Sequence, residues 1–282
     1  MSDDILELKP LPKGHLSPSQ LNTYATCPKK YFYTYVEGIR YRTYASLING
    51  SAVHLALEHD LRQKMETKIN LPTNLVAEVY SDAFDKTEKE AKEKTEGVDW
   101  GEENRGEVKD GGVNSLVNYH REVAVQLKPK SIEEPMTIEF VNSELKLFIK
   151  PDMIGEDDQI VDFKTAKKDM SKNIIVPPPQ LSFYSLAKPD TKSLRIDTMV
   201  RTKKPTYSIN VFKPDSLEQR RQTLADISSI EKSIKAQLYP RTGHIYGFLI
   251  CKSCPFQKQC WGGQVSYNPS KDEKEKEKLT ST

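Results

Sequence analysis

The sequence predicts an α/β fold with a central mixed β-sheet flanked by helices. Three patterns carry that expectation. Apolar residues recur at helical spacing through much of the first 127 positions, a period-two, β-branched run follows from Met136 to Lys167, and helical spacing returns between residues 215 and 237. A chain of 282 residues with 37% hydrophobic content can fill one large core or two small ones.

The first element lies in SPSQLNTYATCPKKYFYTYV, where Ser17 or Ser19 can cap a helix carrying Leu21, Tyr24 and Ala25. Pro28 is suited to start a second helical stretch. GSAVHLALEHDLRQKM reads as the next helix, with Val53, Leu55, Ala56, Leu57 and Leu61 as its apolar positions and His54 and Glu58 on one face. Residues 75–95 begin amphipathic and become almost wholly charged, as in a helix whose end projects into solvent. The Gly-rich, acidic stretch GVDWGEENRGEVKDGG reads as a mobile loop, and SLVNYHREVAVQL returns to helical spacing.

From Met136 the strands form a meander broken by turn signals at Asn142-Ser143 and at Gly155 to Asp158. QLSFYSLA is a helix after three prolines, SLRIDTMVRTKKPTYSINVF holds two strands around Lys203-Lys204-Pro205, and a long helix covers 215–237. The tail SYNPSKDEKEKEKLTST is too polar to offset its ordering entropy and is expected to be disordered. The expected organisation is an N-terminal extension over 1–15, one domain over 16–263 and a disordered tail over 264–282.

The formal charge of +2, from 42 basic and 40 acidic side chains, neither supports nor excludes nucleic-acid binding. MSDDILELKP lacks the basic leader and apolar core of a secretory signal, and no segment approaches the ~20 apolar residues that cross a bilayer. An intracellular protein with no membrane partner is expected, cytoplasmic or nucleoid-associated. In a reducing compartment its four cysteines serve as metal ligands or free thiols more readily than as disulfides.

In IVDFKTA, Asp162 and Lys164 stand two apart on a strand and so share a face, with Val161, Phe163 and Thr165 on the other. A tight connection from Gly155 to Gln159 can bring Asp152 of LFIKPDMIG beside them. Two converging carboxylates are costly without a cation, and their hard oxygens suit Mg²⁺ or Mn²⁺. Such an ion activates water and neutralises phosphate charge while the lysine orients the nucleophile, which suffices for phosphodiester hydrolysis. The bland alternative is a turn-closing aspartate and a surface ion pair worth little.

Cys251, Cys254 and Cys260 form C-x2-C-x5-C, and Cys27 lies 224 positions before the first of them. Four thiolates can hold zinc or an iron–sulfur cluster, and the spacing does not choose. Basic segments at Lys29-Lys30, Arg40 to Arg42, Lys167-Lys168 and Arg201 to Lys204 could track phosphates. Tyr24, Tyr31, Tyr33, Tyr35 and Tyr41 could stack on bases, or pack a helix against the cysteine site. No phosphate-loop motif of a helicase motor occurs.

These pieces stand in the order of the RecB-type branch of the PD-(D/E)XK nuclease superfamily, which the chain resembles. LSPSQLNTYATCPKKYFYTY resembles its Ser-Pro-Ser and Cys-Pro helix and GSAVHLALE its Gly-x-x-x-His helix. PDMIG and IVDFKTA resemble its two acidic motifs, and QLSFYSLA its Gln-x-x-x-Tyr helix. The motifs span residues 16 to 187, and the cysteine end extends the match to 262. One departure is Lys150-Pro151 before Asp152, where related sequences often carry glycine.

The resemblance implies a restriction-endonuclease-like core. It implies Mg²⁺ or Mn²⁺ held by His54, Asp152, Asp162 and the Phe163 carbonyl, Lys164 as the catalytic lysine, and Gln180 and Tyr184 as support or DNA contacts. One cysteine before the core and three after it is similar to the iron–sulfur branch of AddB-type and CRISPR-adaptation nucleases. That implies a 4Fe-4S cluster on Cys27, Cys251, Cys254 and Cys260 joining the two ends, with zinc as the alternative. The activity implied is exonuclease action on single-stranded DNA, in the 5′ to 3′ direction, in recombination, repair, phage replication or CRISPR adaptation, alone or beside a helicase or other recombination protein. A structure-specific endonuclease and a non-catalytic DNA-binding subunit are the competing readings.

Overall fold

The computed structural model describes residues 8–140, 144–169, 176–243, 250–252 and 254–262. Ser17 caps α1 (Pro18–Thr26) by accepting from the Gln20 N–H, and Pro28 opens α2 (Pro28–Tyr31), which continues as a π-helical turn over Phe32–Val36. A two-residue strand β1 (Thr43–Tyr44) leads into α3 (Ala45–Thr67), followed by α4 (Thr73–Lys94), β2 (Val98–Asp99) and α5 (Arg105–Glu122). Then come β3 (Pro129–Ile132), β4 (Met136–Glu139), β5 (Lys146–Ile149), β6 (Met153–Gly155) and β7 (Gln159–Ala166). The remainder is α6 (Pro179–Ala187), β8 (Ser193–Val200), β9 (Thr206–Phe212), α7 (Leu217–Lys235) and α8 (Gln257–Trp261).

Five strands form the central sheet in the order β3-β6-β7-β8-β9. Only the β7–β8 pair is parallel, with Ala166 opposite Val200; the others are antiparallel. A parallel pair needs a crossover, and α6 lies within it. Period-two alternation along β7 gives the sheet two buried faces. Val161 and Phe163 join Val53, Leu57 and Tyr119 in a core under α3, α4 and α5, while Ile160 joins Leu21, Leu181, Leu194 and Tyr184 on the other side. The β4–β5 hairpin is a separate two-stranded sheet that contributes Leu147 and Ile149 to this second core. The chain is therefore an α/β protein with a mixed sheet between helical layers.

The expected loop over 97–112 is shorter than its composition suggests. Asn104 accepts from the Glu107 N–H at 3.0 Å while its own N–H donates to Glu107 Oε2 at 2.8 Å, a capping box that starts α5 at Arg105. Gly112, which resembles a turn residue, sits inside α5 where a Cβ would collide with Asn49 Oδ1 and the Tyr80 hydroxyl. It permits close helix packing rather than a bend. The charged end of α4 is likewise not all solvated: Glu88 is buried and held by Lys92 at 2.7 Å and Arg105 at 2.7 Å.

The strand Pro129–Ile132 had no alternating signature. The Asn142-Ser143 turn and the tail over 264–282 lie outside the described residues. Among the described residues no helix is long and apolar enough to cross a membrane.

Candidate metal and catalytic site

Antiparallel pairing of Met153 with Val161 sets Asp152 beside the middle of β7. Asp152 Oδ2 accepts from the Phe163 backbone N–H at 2.6 Å, and Oδ1 lies 3.2 Å from His54 Nδ1 on α3. Phe163 thus enters the site through its backbone while its ring is buried in the core.

Asp162 leaves β7 on the α6 side. Its Oδ2 lies 2.6 Å from Lys164 Nζ, and its Oδ1 accepts from the Tyr184 hydroxyl at 3.1 Å. Gln180 Oε1 accepts from Lys164 Nζ at 3.1 Å, and its amide nitrogen donates to the Tyr184 hydroxyl. Lys164, Asp162, Tyr184 and Gln180 close a ring of polar contacts, made possible because Gln180 and Tyr184 stand four apart on one helical face. The expected residues thus form two neighbouring groups that meet on β7: His54, Asp152 and Phe163, the last through its N–H rather than the expected carbonyl, and Asp162, Lys164, Gln180 and Tyr184.

Glu133 was not anticipated. It follows β3 with φ +51°, a left-handed backbone costly for a non-glycine residue, and its N–H donates to the Asp152 carbonyl at 3.1 Å. Its carboxylate pairs with Lys150 and lies 4.0 Å from His54 Nδ1. Lys150, which precedes Pro151, thereby acquires a partner. The signal for Glu133 is tertiary, because only pairing of β3 with β6 brings it to Asp152. Glu58, on the His54 face, pairs instead with Arg62 at 2.8 Å.

The electrostatics favour a cation. Burial, and then the charge of Asp152, raise the Asp162 carboxyl above its ordinary range despite Lys164. Burial raises Glu133 as well, against the lowering influence of Lys150. Burial alone would lower His54, but the hydrogen bond and charge of Asp152 outweigh it and raise the imidazole. Crowded, partly buried carboxylates whose charged forms are disfavoured suit a hard divalent ion. Among the described residues only His54, Glu133 and Asp152 bring three such donor atoms within 4.8 Å of one another. They face an open cleft of about 490 Å³ that is also lined by Ser46, Gly50, Ser51 and Lys150.

Cys27, Cys251, Cys254 and Cys260 carry no disulfide and line one cavity of about 270 Å³. A Cβ at Gly243 would come within 2.6 Å of Cys251 Sγ, so the glycine leaves room for that thiol. Burial pushes the Cys254 and Cys260 thiols up. The tyrosines around Cys27 pack against one another and against the C-terminal segment. Tyr31 stacks on Tyr239 with centroids 6.3 Å apart, and Phe256 meets Tyr33 at 5.2 Å and Tyr41 at 5.1 Å. Packing, rather than free stacking surface, describes Tyr24 and Tyr31, both buried.

The sequence profile of the PD-(D/E)XK nuclease superfamily matches residues 15–261. A protein of Eubacterium rectale named provisionally as an exonuclease superposes with TM-score 0.57 at 15% identity, covering 91% of each chain. That likeness shows the fold. A second solved structure, SSO0001, matches at TM-score 0.35 and 13% identity over 80% of this chain and 89% of its own, too distant to carry an argument. No curated protein matches the sequence.

Proposed function

The chain belongs to the PD-(D/E)XK nuclease superfamily, and from that membership we propose that it is a divalent-metal-dependent deoxyribonuclease acting as an exonuclease on single-stranded DNA ends. The observation that carries the reading is the grouping of the donors His54, Glu133 and Asp152 on one open cleft, with the Asp162–Lys164 pair next to them on β7.

His54, Glu133 and Asp152 would hold Mg²⁺ or Mn²⁺, with Asp162 and the Phe163 carbonyl completing the set that the family resemblance implies. A bound divalent ion supplies acidified water and neutralisation of charge on the scissile phosphate. Lys164, steadied by Asp162 and Gln180, orients the attacking water and hydrogen-bonds the developing oxyanion. Tyr184 holds Asp162 on the strand side. Lys150, half exposed on the cleft wall, balances Glu133 and offers a contact for the phosphate backbone.

The four cysteines support a 4Fe-4S cluster. They line one cavity, and the resemblance to the iron–sulfur branch favours the cluster over tetrahedral zinc, which four thiolates could also hold. The cluster would tie Cys27 to the C-terminal segment and keep the fold closed rather than transfer electrons. Anaerobically purified protein is expected to be brown and to contain iron and sulfide; colourless protein with one zinc per chain would carry the zinc alternative.

The activity test is degradation of end-labelled single-stranded DNA with Mn²⁺, with Lys164→Ala as the inactive control. Blocking the 5′ or the 3′ end in turn reads the direction, for which 5′ to 3′ is the expectation. Cutting of a circular single strand would instead support an endonuclease, and well-folded, cofactor-loaded protein that degrades neither would support a DNA-binding subunit. The reading places the protein in recombination, repair, phage replication or CRISPR adaptation, with a helicase or other recombination protein as the natural partner.

A further inference from the structure

A second cleft, of about 360 Å³, adjoins the catalytic one and shares Ser46 with it. Tyr44, Asn49, Trp100, Glu103, Lys167 and Arg201 line it, and part of its wall is the end of β7, the strand that carries Asp162 and Lys164. The two clefts therefore meet at Ser46, near the start of α3.

The second cleft combines basic and aromatic side chains. Ala166 and Val200 pair in register at the carboxyl ends of parallel β7 and β8, so Lys167-Lys168 and Arg201 to Lys204 leave the sheet side by side. Of these, Lys167 and Arg201 line the cleft together with the carboxylates of Asp99 and Glu103. Arg201 is buried and fixed on Glu103 by two hydrogen bonds, at 3.0 and 3.3 Å. Lys167 touches the same carboxylate but its side chain is 54% exposed, so it can exchange that contact for a phosphate. Trp100 rests on Phe84, with the rings 25° from parallel, and also lines the cleft, where Tyr44 supplies a second ring.

We infer that this cleft is a nucleotide subsite. It receives one nucleotide of the strand lying across the catalytic cleft, with a phosphate on Lys167 and the base against Trp100 and Tyr44. The inference rests on the nuclease reading and adds to it where the strand runs: along the start of α3, past Ser46 to Tyr44 and Trp100. Stacking on aromatic rings accepts every base, so the subsite confers grip without sequence preference.

The test uses the full chain with Lys164→Ala to prevent cleavage and an oligothymidylate as probe. The chain has two tryptophans, so Trp261→Phe leaves Trp100 as the sole indole reporter. Saturating oligothymidylate is expected to quench Trp100 fluorescence. Lys167→Ala is expected to weaken binding severalfold and to reduce the slope of log affinity against log salt by about 0.7, the loss of one single-strand phosphate contact. Trp100→Leu is expected to weaken binding about tenfold with a salt slope unchanged.

Oligonucleotide binding with no change in Trp100 fluorescence and an unaltered slope for Lys167→Ala would overturn the subsite. If the chain with Lys164 intact still degraded DNA, only the subsite would fall. Trp100 quenching in a chain that degrades no DNA with Mn²⁺ would overturn the nuclease reading and leave a nucleic-acid site standing.

Discussion

Phe163 donates its backbone N–H to Asp152 Oδ2 at 2.6 Å, so one oxygen of that carboxylate is committed to the strand and the other faces His54. The two oxygens have separable tasks. Asp152→Asn keeps an acceptor for Phe163 but lowers the negative charge, whereas Asp152→Ala leaves a buried N–H without a partner at about 1–3 kcal/mol. Urea denaturation is expected to show the alanine variant less stable by that amount and the asparagine variant near wild type. Calorimetric titration with Mn²⁺ is expected to show both binding the ion at least tenfold more weakly.

Tyr184→Phe removes the hydroxyl that bridges Gln180 and Asp162 without opening a large void. Residues that orient ligands typically cost about 10–100-fold in metal affinity or activity when changed. DNA degradation by Tyr184→Phe and by Gln180→Ala is expected to fall by that range, chiefly in kcat, with little change in DNA affinity. A loss seen only in affinity would make the pair DNA contacts instead.

Gly112→Ala drives a methyl group into Asn49 and Tyr80, where α5 crosses α3 and α4. Overpacking of this kind costs about 1–3 kcal/mol. Thermal unfolding is expected to show the loss, and Gly106→Ala, at the exposed start of the same helix, is expected to be far milder.

Glu88 titrates below its ordinary value: burial raises it, but the hydrogen bonds of Lys92 and Arg105 lower it further than burial lifts it. A depressed carboxylate stabilises the folded chain fully above its unfolded pKa, here near 4.5, and that contribution disappears as pH falls through the lower folded value. Wild type is therefore expected to lose melting temperature more steeply than Glu88→Gln as pH falls from about 5 to 3. Parallel curves would remove the linkage.

The order of helices and strands was legible because apolar spacing alone separates period two from 3.6, and Asp162 with Lys164 was placed on one face by that same alternation. His54, Gln180 and Tyr184 came from motif order; their convergence is tertiary and depends on α3 and α6 flanking β7. Glu133 was illegible, since β3 is short and its carboxylate matters only through pairing with β6. Gly111 and Gly112 misled for a physical reason: glycine serves both flexible turns and tight helix crossings, and sequence cannot separate the two. The tyrosines left both packing and base stacking open, and Tyr239 and Phe256, more than 200 positions away, supply the packing partners of Tyr31 and Tyr33.

The Tyr24 hydroxyl donates to the Leu238 carbonyl at 2.5 Å and the Lys29 N–H to that of Pro240 at 3.2 Å. In a chain emerging from the ribosome amino end first, α1 and α2 meet these partners only after the whole sheet has been made. Contacts of such sequence separation form slowly. Because α1 also packs beside α6, the helix that holds Gln180 and Tyr184 gains a fully anchored neighbour only when the chain has reached residues 238–240.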